Sequence, residues 1–120
     1  MKILLVDDNA DITTMFSKYF GHNGHECMVA NSGQNGLEMI LNQDHDVILL
    51  DLAMPDFSGF DIVDHLYKNG KLDGRTIVAL TASSVSDNDK DNLQKKGVHS
   101  VLKKPIDPDD LLAYLAKISK

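Results

Sequence analysis

The sequence predicts an α/β fold in which one parallel sheet of five strands is covered by helices on both faces. Two apolar runs without alternation, Ile3–Val6 and Val47–Leu50, are typical of strands buried on both sides. Between the strand candidates, apolar residues recur every three or four positions, as on the buried face of a helix. The 120 residues, 42% of them hydrophobic, suffice for one domain, which we expect to span residues 1–120.

Five strands and five helices are expected to alternate. The predicted strands are Lys2–Val6, Glu26–Ala30, Val47–Leu50, Thr76–Leu80 and Ser100–Lys103. The second and fifth are more polar, which suits the edges of a sheet. The usual order for such a doubly wound sheet is 2-1-3-4-5, the flavodoxin-like arrangement.

Four of the predicted helices carry an apolar stripe. In chain order the stripes are Ile12, Met15, Phe16, Tyr19 and Phe20; Leu37, Ile40 and Leu41; Phe60, Val63, Leu66 and Tyr67; and Leu111, Leu112, Leu115 and Ile118. The remaining helix, Asp87–Lys96, has only Leu93 as a large apolar residue and is the weakest. Gly21 and Gly24 are expected to follow the first helix, and Pro108 suits the first turn of the fifth.

Composition excludes several classes of function. A formal charge of −6 opposes direct binding to nucleic acid or to an anionic membrane surface. The longest apolar runs are far shorter than the roughly 20 residues that a membrane-spanning helix needs, and no export signal is visible. Cys27 is the only cysteine, so an intramolecular disulfide is excluded and a reducing, cytoplasmic location is expected.

Acidic residues follow two of the central strands. Asp7 and Asp8 close the first apolar run and Asp51 closes the third, and these strands are neighbours in the expected order. The three carboxylates should therefore share one pocket. An aspartate after a strand often caps the next helix, and Asp8 or Asn9 fits that role. Asp51 does not, because four further residues precede any helix signal.

Such a cluster needs positive charge. Carboxylates about 4 Å apart repel by on the order of 4 kcal/mol per pair at an effective dielectric near 20. Hard oxygen ligands suit Mg²⁺, and Lys104, after the fifth strand, supplies a second cation. With these charges neutralised, Asp51 could act as a nucleophile in phosphoryl transfer. Thr81, at the end of the fourth strand, could donate a hydrogen bond to a phosphoryl oxygen.

Four short motifs occur in order at the ends of the first, third, fourth and fifth strands. They are Val6-Asp7-Asp8-Asn9, Asp51-Leu-Ala-Met54-Pro55-Asp-Phe-Ser-Gly59, Leu80-Thr81-Ala82 and Lys104-Pro105. In this arrangement the chain resembles, over essentially its whole length, the receiver domain of bacterial two-component response regulators, and in particular chemotaxis regulators.

The resemblance implies a role for each of these residues. Asp51 would accept phosphate from a phosphohistidine on a sensor histidine kinase or a phosphotransfer protein. Asp8, Asp51 and the backbone carbonyl of Ala53 would hold Mg²⁺, with Asp7 acting mainly through water. Thr81 and Lys104 would bind the phosphoryl oxygens. The chain would thus be no enzyme in the usual sense, since it would catalyse only its own phosphorylation and dephosphorylation.

Two adjacent lysines precede Pro105. Lys104 is assigned rather than Lys103 because the lysine of the family stands directly before the proline, where a cis peptide bond would aim it inward. Lys103 is then expected to face solvent.

The chain departs from the family pattern at Val101, where members often carry an aromatic ring that turns inward on activation. The usual aromatic readout is therefore absent or relocated. Ala53 and Ser83, which in the family influence attack of water on the acyl phosphate, are both small and should leave water access open.

The resemblance also implies an output face and partners. The output face would comprise the fourth helix, fifth strand and fifth helix, and the first helix is the expected dock for the kinase. A downstream effector protein or domain is implied, with the receiver a monomer or a phosphorylation-dependent dimer. Lys120 falls where a linker to an effector could begin, so the sequence leaves open whether the chain works alone.

Three alternatives belong to other classes. A Mg²⁺-dependent aspartyl-phosphate phosphatase would show Asp-x-Asp-Gly-Thr after the first strand, where this chain has Asp7-Asp8-Asn9-Ala10. A flavin binder of the same topology would need hydroxyl and glycine residues there instead of acids. A phosphorylation-independent, receiver-like interaction module would not need the acids at all.

Overall fold

Five parallel strands form one sheet in the order β2-β1-β3-β4-β5, which confirms the predicted topology. The computed structural model describes residues 1–82 and 85–118, so Ser83 and Lys120 lie outside the described residues. The strands are β1 (Lys2–Val6), β2 (Glu26–Ala30), β3 (Val47–Asp51), β4 (Ile77–Thr81) and β5 (Ser100–Lys103). The helices are α1 (Ala10–His22), α2 (Gly33–Asn42), α3 (Gly59–Lys68), α4 (Asp87–Lys96) and α5 (Pro108–Ile118).

The central strands reach one residue further than their apolar runs. β3 continues to Asp51, which pairs with Leu80, and β4 continues to Thr81, which pairs with Lys103. Strand pairing therefore includes two of the predicted site residues. Their backbones are held by the sheet, so their side chains project from a rigid edge.

The core consists of two apolar clusters, one on each face of the sheet. Leu4 and Val6 of β1 face the cluster beneath α2, α3 and α4. Ile3 and Leu5 face the other cluster, which includes buried residues of α1 and α5. Alternate residues thus point to opposite faces, and both faces are covered. This arrangement explains why the strand sequences are apolar without alternation.

The apolar stripes of the helices include residues that are not buried. Four of their members are exposed, namely Met15 (49%), Leu41 (39%), Phe60 (39%) and Tyr67 (53%). The expectation that the Met and Phe positions of the first helix belong to the core was therefore wrong for Met15, because a helix lying on one sheet face buries only the side chains directed at the sheet. The fourth helix forms as predicted, with Leu93 buried.

Helix α1 also ends later than expected. It runs through Gly21 to His22, and Asn23 is its C-cap. Gly24, with φ of 84°, is the residue that turns the chain. Placing Gly21 after the helix was therefore wrong, since the left-handed conformation that favours glycine occurs three residues later. No helix in residues 1–82 or 85–118 has the length and apolar character to cross a bilayer.

Cys27 lies on the edge strand β2 and packs against the cluster shared by α1 and α5. Burial raises the pKa of its thiol from 9.0 to about 11. Only the thiolate reacts with disulfide reagents, so the reactive fraction at pH 8 should be about 100-fold lower in the folded protein than in the unfolded chain. The raised pKa also favours the fold below about pH 9, and this contribution should disappear as pH rises toward 11.

We therefore expect slow labelling of native Cys27 by a thiol-specific reagent and rapid labelling in denaturant. Measuring the rate from pH 7 to 10 provides the check, because the native rate should still be rising at pH 10, about one unit below the thiol pKa. A native rate that levels off near pH 9 would contradict the burial of the thiol.

Candidate functional site

Three carboxylates meet at the carboxyl edge of the sheet. Asp7, Asp8 and Asp51 each offer one ligand oxygen, and these oxygens all lie within 4.8 Å of one another. Asp7 and Asp51 are 1% and 5% exposed, whereas Asp8 is exposed. Within the described part of the chain, this is the only group of three acidic, histidine or cysteine side chains with metal-binding spacing. The predicted convergence of the three acids is therefore observed.

Asp7 is held by hydrogen bonds to the end of β2 and to the loop after β1. Its backbone N–H donates to Ala30 O at 3.0 Å, and its Oδ1 accepts from the backbone N–H of Asn9 at 2.9 Å. Asn9 in turn caps α1 by accepting from the N–H groups of Asp11 and Ile12. The capping role therefore belongs to Asn9, which leaves the side chain of Asp8 available for another role.

Asn31 was missed by sequence reasoning. Its Nδ2 donates to the backbone oxygen of Asp7 at 2.9 Å and to Thr13 Oγ1 at 3.0 Å. It thereby joins the loop after β2 to the loop after β1 and to helix α1. The available signal was its position directly after β2, at the same edge of the sheet as the acids.

Asp51 ends β3 and is 5% exposed, and its surroundings oppose its negative charge. Burial raises its pKa, and the carboxylates of Asp7 and Asp8 raise it further. A hydrogen bond of 3.1 Å from the backbone N–H of Ala53 to Oδ1 acts in the opposite direction, as does the charge of Lys104. The other oxygen, Oδ2, faces the lysine.

Lys104 reaches into the acid cluster. Its Nζ lies 2.6 Å from Asp7 Oδ2 and 3.8 Å from Asp51 Oδ2, and its side chain is 16% exposed. The peptide bond between Lys104 and Pro105 is cis, as predicted. The structure thus brings Lys104 to the acids and leaves Lys103 on the surface.

Thr81 stands between the two strands that carry the acids and the lysine. It is 4% exposed, and its backbone oxygen accepts from the backbone N–H of Lys104 at 2.7 Å. A displacement of one of these residues would therefore be transmitted to the other. Val101, the departure from the family pattern, is half-buried against the cluster on the α4 side of the sheet.

The donor set fits a small divalent cation. Three carboxylates and one ammonium group leave two negative charges uncompensated. Burial raises the pKa of Asp51, and the charges of Asp7 and Asp8 add to that effect. Carboxylate and carbonyl oxygens are the ligands that Mg²⁺ takes, usually together with several waters. Asp8 and Ala53 are both exposed beside the buried carboxylates, so the site is open on one side.

Two glycines allow the loop after β3 to pack closely. A Cβ on Gly33 would stand 1.9 Å from the backbone oxygen of Phe57, and one on Gly59 would stand 2.4 Å from the backbone oxygen of Asp51. Both contacts are with backbone atoms, which cannot rotate away. The start of α2 and the start of α3 therefore clamp the loop that carries Ala53.

A five-stranded sheet in this order, with acids, a threonine and a lysine at its carboxyl edge, defines the CheY-like class of signalling domains. The model of the response regulator receiver domain family matches residues 3–116. The chain therefore belongs to that family, and the predicted resemblance is confirmed.

Known relatives agree with this assignment. Response regulator SaeR of Staphylococcus epidermidis is 33% identical over 98% of this chain, and the probable transcriptional regulator ycf29 of Pyropia yezoensis is 28% identical over 95%. The aligned regions are 52% and 51% of those proteins, so the chain spans about half the length of these curated relatives.

Solved structures show the same fold. The chemotaxis protein CheY4 of Vibrio cholerae superimposes with a TM-score of 0.85 at 30% identity, covering 98% of this chain and 97% of that one. The BeF₃-activated receiver domain of Klebsiella pneumoniae RstA gives a TM-score of 0.83 at 28% identity, covering 98% and 97%.

Divalent cation binding should be visible as thermal stabilisation. At Mg²⁺ concentrations tenfold above Kd, binding to the folded state alone adds about 1.4 kcal/mol, or roughly 4–6 °C in Tm for a domain of this size. Replacing Asp8 by asparagine removes one ligand charge and should abolish most of the shift. Differential scanning fluorimetry at constant ionic strength measures it.

Asp44→Asn is the matched control, because Asp44 is an exposed acid in the loop before β3, at the opposite edge of the sheet. It should retain the Mg²⁺ shift of the parent protein. Equal shifts in Asp8→Asn and in the parent would argue against the acid cluster as the binding site.

Proposed function

We propose that this chain is a phosphorylation-switched signalling domain whose phosphoacceptor is Asp51. The observation that carries the proposal is the position of the Lys104 ammonium, 3.8 Å from Asp51 Oδ2 in a cluster of three carboxylates. A buried nucleophile with an adjacent cation and an excess of ligand oxygens is what phosphoryl transfer to a carboxylate requires.

The phosphoryl donor is proposed to be a phosphohistidine on a sensor histidine kinase or phosphotransfer protein. Asp51 Oδ2 is assigned as the nucleophile, because Oδ1 already accepts the Ala53 N–H. A phosphorus–oxygen bond forms at Oδ2 while the phosphorus–nitrogen bond of the donor breaks, and the protonated donor ring leaves as neutral imidazole. The product is an acyl phosphate on Asp51.

The residues around Asp51 are proposed to stabilise the transferred group. Lys104 binds one phosphoryl oxygen as a point charge, and the hydroxyl of Thr81 donates to another. Asp8, Asp51 and the carbonyl of Ala53 would hold Mg²⁺ directly, with Asp7 acting through water. When bound there, Mg²⁺ would supply charge neutralisation for the phosphoryl oxygens.

Phosphorylation is proposed to shift a two-state equilibrium. The new charge on Asp51 draws in Thr81 and Lys104, whose backbones are joined by the 2.7 Å hydrogen bond, and so biases β5 and the loop after β4. With valine at position 101, the aromatic readout usual in the family is absent or relocated. The affected surface comprises α4, β5 and α5, and its partner is a downstream effector protein or domain.

The other partners follow from the same proposal. The kinase docks on α1, beside the acids, in the cytoplasm, and the receiver is monomeric or dimerises on phosphorylation. With a formal charge of −6, this chain is not itself the nucleic-acid contact. The BeF₃-activated state of the similar Klebsiella pneumoniae RstA receiver domain supports a site that responds to a phosphoryl-like group.

The test is covalent labelling. Incubation with acetyl phosphate and Mg²⁺ should add one phosphoryl group, detected by intact-mass spectrometry, and Asp51→Asn should add none. Asp56→Asn is the matched control, because Asp56 is an exposed aspartate five residues along the same loop whose φ of 65° suits asparagine equally well. Equal labelling of Asp51→Asn and the parent would refute the assignment.

A further inference from the structure

An apolar cleft of about 460 Å³ opens next to the acid cluster, between α1, the end of β4 and the loop that joins β5 to α5. Its apolar walls are Ile12, Met15, Phe16, Leu80, Pro105 and Ile106. Ala82 and Lys104 complete the lining, and Lys104 is the only charged side chain among the described residues that line it. Clefts of this volume and character bind small molecules with an apolar body and one polar end.

The cleft and the phosphoacceptor site share Lys104. The lysine lines the cleft, and its Nζ contacts both Asp7 and Asp51. Lys104 is therefore the residue that joins the two sites, since Thr81 does not line the cleft. A phosphoryl group held by Lys104 would lie at the end of the cleft where this lysine stands, and the remainder of its donor would extend along the apolar walls.

We propose that this cleft binds the acyl chain of an aliphatic acyl phosphate, so that the protein accepts phosphate from short-chain acyl phosphates longer than acetyl phosphate in preference to acetyl phosphate itself. The inference rests on the proposed function and names a substrate class for the same site. It assigns the apolar walls to substrate recognition, a role separate from metal binding and phosphoryl transfer.

The reaction balances without any further reactant. Asp51 Oδ2 forms a bond to phosphorus while the bond between phosphorus and the acyl oxygen breaks, and a carboxylate anion leaves. In an in-line displacement the leaving group departs on the side opposite the nucleophile. The negatively charged end of both donor and product lies near Lys104, and the hydrocarbon chain lies against the apolar walls.

Chain length should matter because the walls are apolar and partly exposed. Met15 is 49% exposed although it faces the cleft, so a bound chain would cover a thioether that now contacts water. Complete burial of one methylene is worth about fourfold in binding, and a cleft open on one side should give about twofold. Butyryl phosphate carries two more methylenes than acetyl phosphate, and it should react about four- to fivefold faster at limiting donor concentration.

The experiment compares initial rates of labelling by acetyl, propionyl and butyryl phosphate at equal subsaturating concentrations with Mg²⁺. The butyryl-to-acetyl rate ratio should be about 4–5 in the parent protein and should fall toward 1 in Met15→Gln, which keeps the side-chain length but makes the wall polar. Phe60→Gln is the matched control, because Phe60 is an apolar residue of comparable exposure on α3, outside the cleft. It should keep the ratio of the parent.

A binding measurement removes any dependence on turnover. The phosphonate analogue of butyryl phosphate, in which a methylene replaces the bridging oxygen, cannot transfer its phosphoryl group. It should shift the ε-methyl resonance of Met15 more than the shorter acetyl analogue does.

Two results would overturn the inference while leaving the proposed function intact. The first is a butyryl-to-acetyl ratio of 1 or below with normal labelling of Asp51 by acetyl phosphate. The second is a ratio that Met15→Gln does not change. By contrast, labelling by none of the donors, or full labelling of Asp51→Asn, would overturn the proposed function and the inference together.

Discussion

Replacing Lys104 by methionine should slow phosphoryl transfer to Asp51 by about 10²-fold or more, the usual cost of losing one preorganised group that stabilises developing charge. Among the described residues, Lys104 Nζ is the cation nearest Asp51, at 3.8 Å from Oδ2, and its side chain is 16% exposed, so water replaces it poorly. Methionine retains the length and most of the apolar stem. The time course of labelling by acetyl phosphate and Mg²⁺ measures the rate.

Lys103→Met is a control of the same chemical change one residue away. Lys103 is exposed, and strand alternation directs successive side chains to opposite faces. Its rate should stay within about twofold of the parent rate, because an exposed charge at that range is screened by solvent. A larger effect for Lys103→Met than for Lys104→Met would show that the cation has been assigned to the wrong lysine.

Replacing Gly33 by alanine should destabilise the fold by about 3 kcal/mol, the upper part of the range for overpacking, and should lower Tm by about 10 °C. The added Cβ would stand 1.9 Å from the carbonyl oxygen of Phe57, well inside van der Waals contact. That carbonyl cannot simply rotate, because the Phe57 N–H donates to Pro55 O at 2.7 Å and the Phe57 ring packs on the core. Urea denaturation followed by circular dichroism measures the free energy of unfolding.

Gly21→Ala adds the same methyl group but should have the opposite effect on stability. Gly21 lies within α1, and a Cβ there would meet nothing within 4 Å. Alanine should therefore stabilise the protein by roughly 0.5–1 kcal/mol through helix propensity alone. If Gly33→Ala unfolds at the same urea concentration as the parent, the prediction is wrong, and the loop after β3 can move to accept the added methyl group at little cost in free energy.

The positions of the acids, Thr81 and Lys104 were predictable because each follows a recognisable strand. An apolar run marks a strand, parallel strands place their carboxyl ends at one edge, and residues after neighbouring strands must then meet there. The distance from Lys104 to Asp7 was not available in this way. It depends on how the chain turns at Pro105 after β5.

The same reasoning could not find Asn31 or Gly33. The amide of Asn31 acts by bridging Asp7 and Thr13, two residues that come together only when α1 packs against the sheet. The importance of Gly33 depends on the approach of a loop that is more than twenty residues away in sequence. The sequence next to either residue gives no indication of the distant segment that it contacts.

Local periodicity and strand order were thus sufficient to predict the α/β class, the five-strand topology and the edge of the sheet at which the site lies. Backbone geometry determines which face of a helix or strand an apolar pattern covers and where each strand ends. The exposure of Met15, the apolar cleft beside Lys104 and the clamped loop after β3 were decided by packing between distant segments. Which face of a helix is covered depends on the shape and position of its neighbours, and those are properties of the assembled fold.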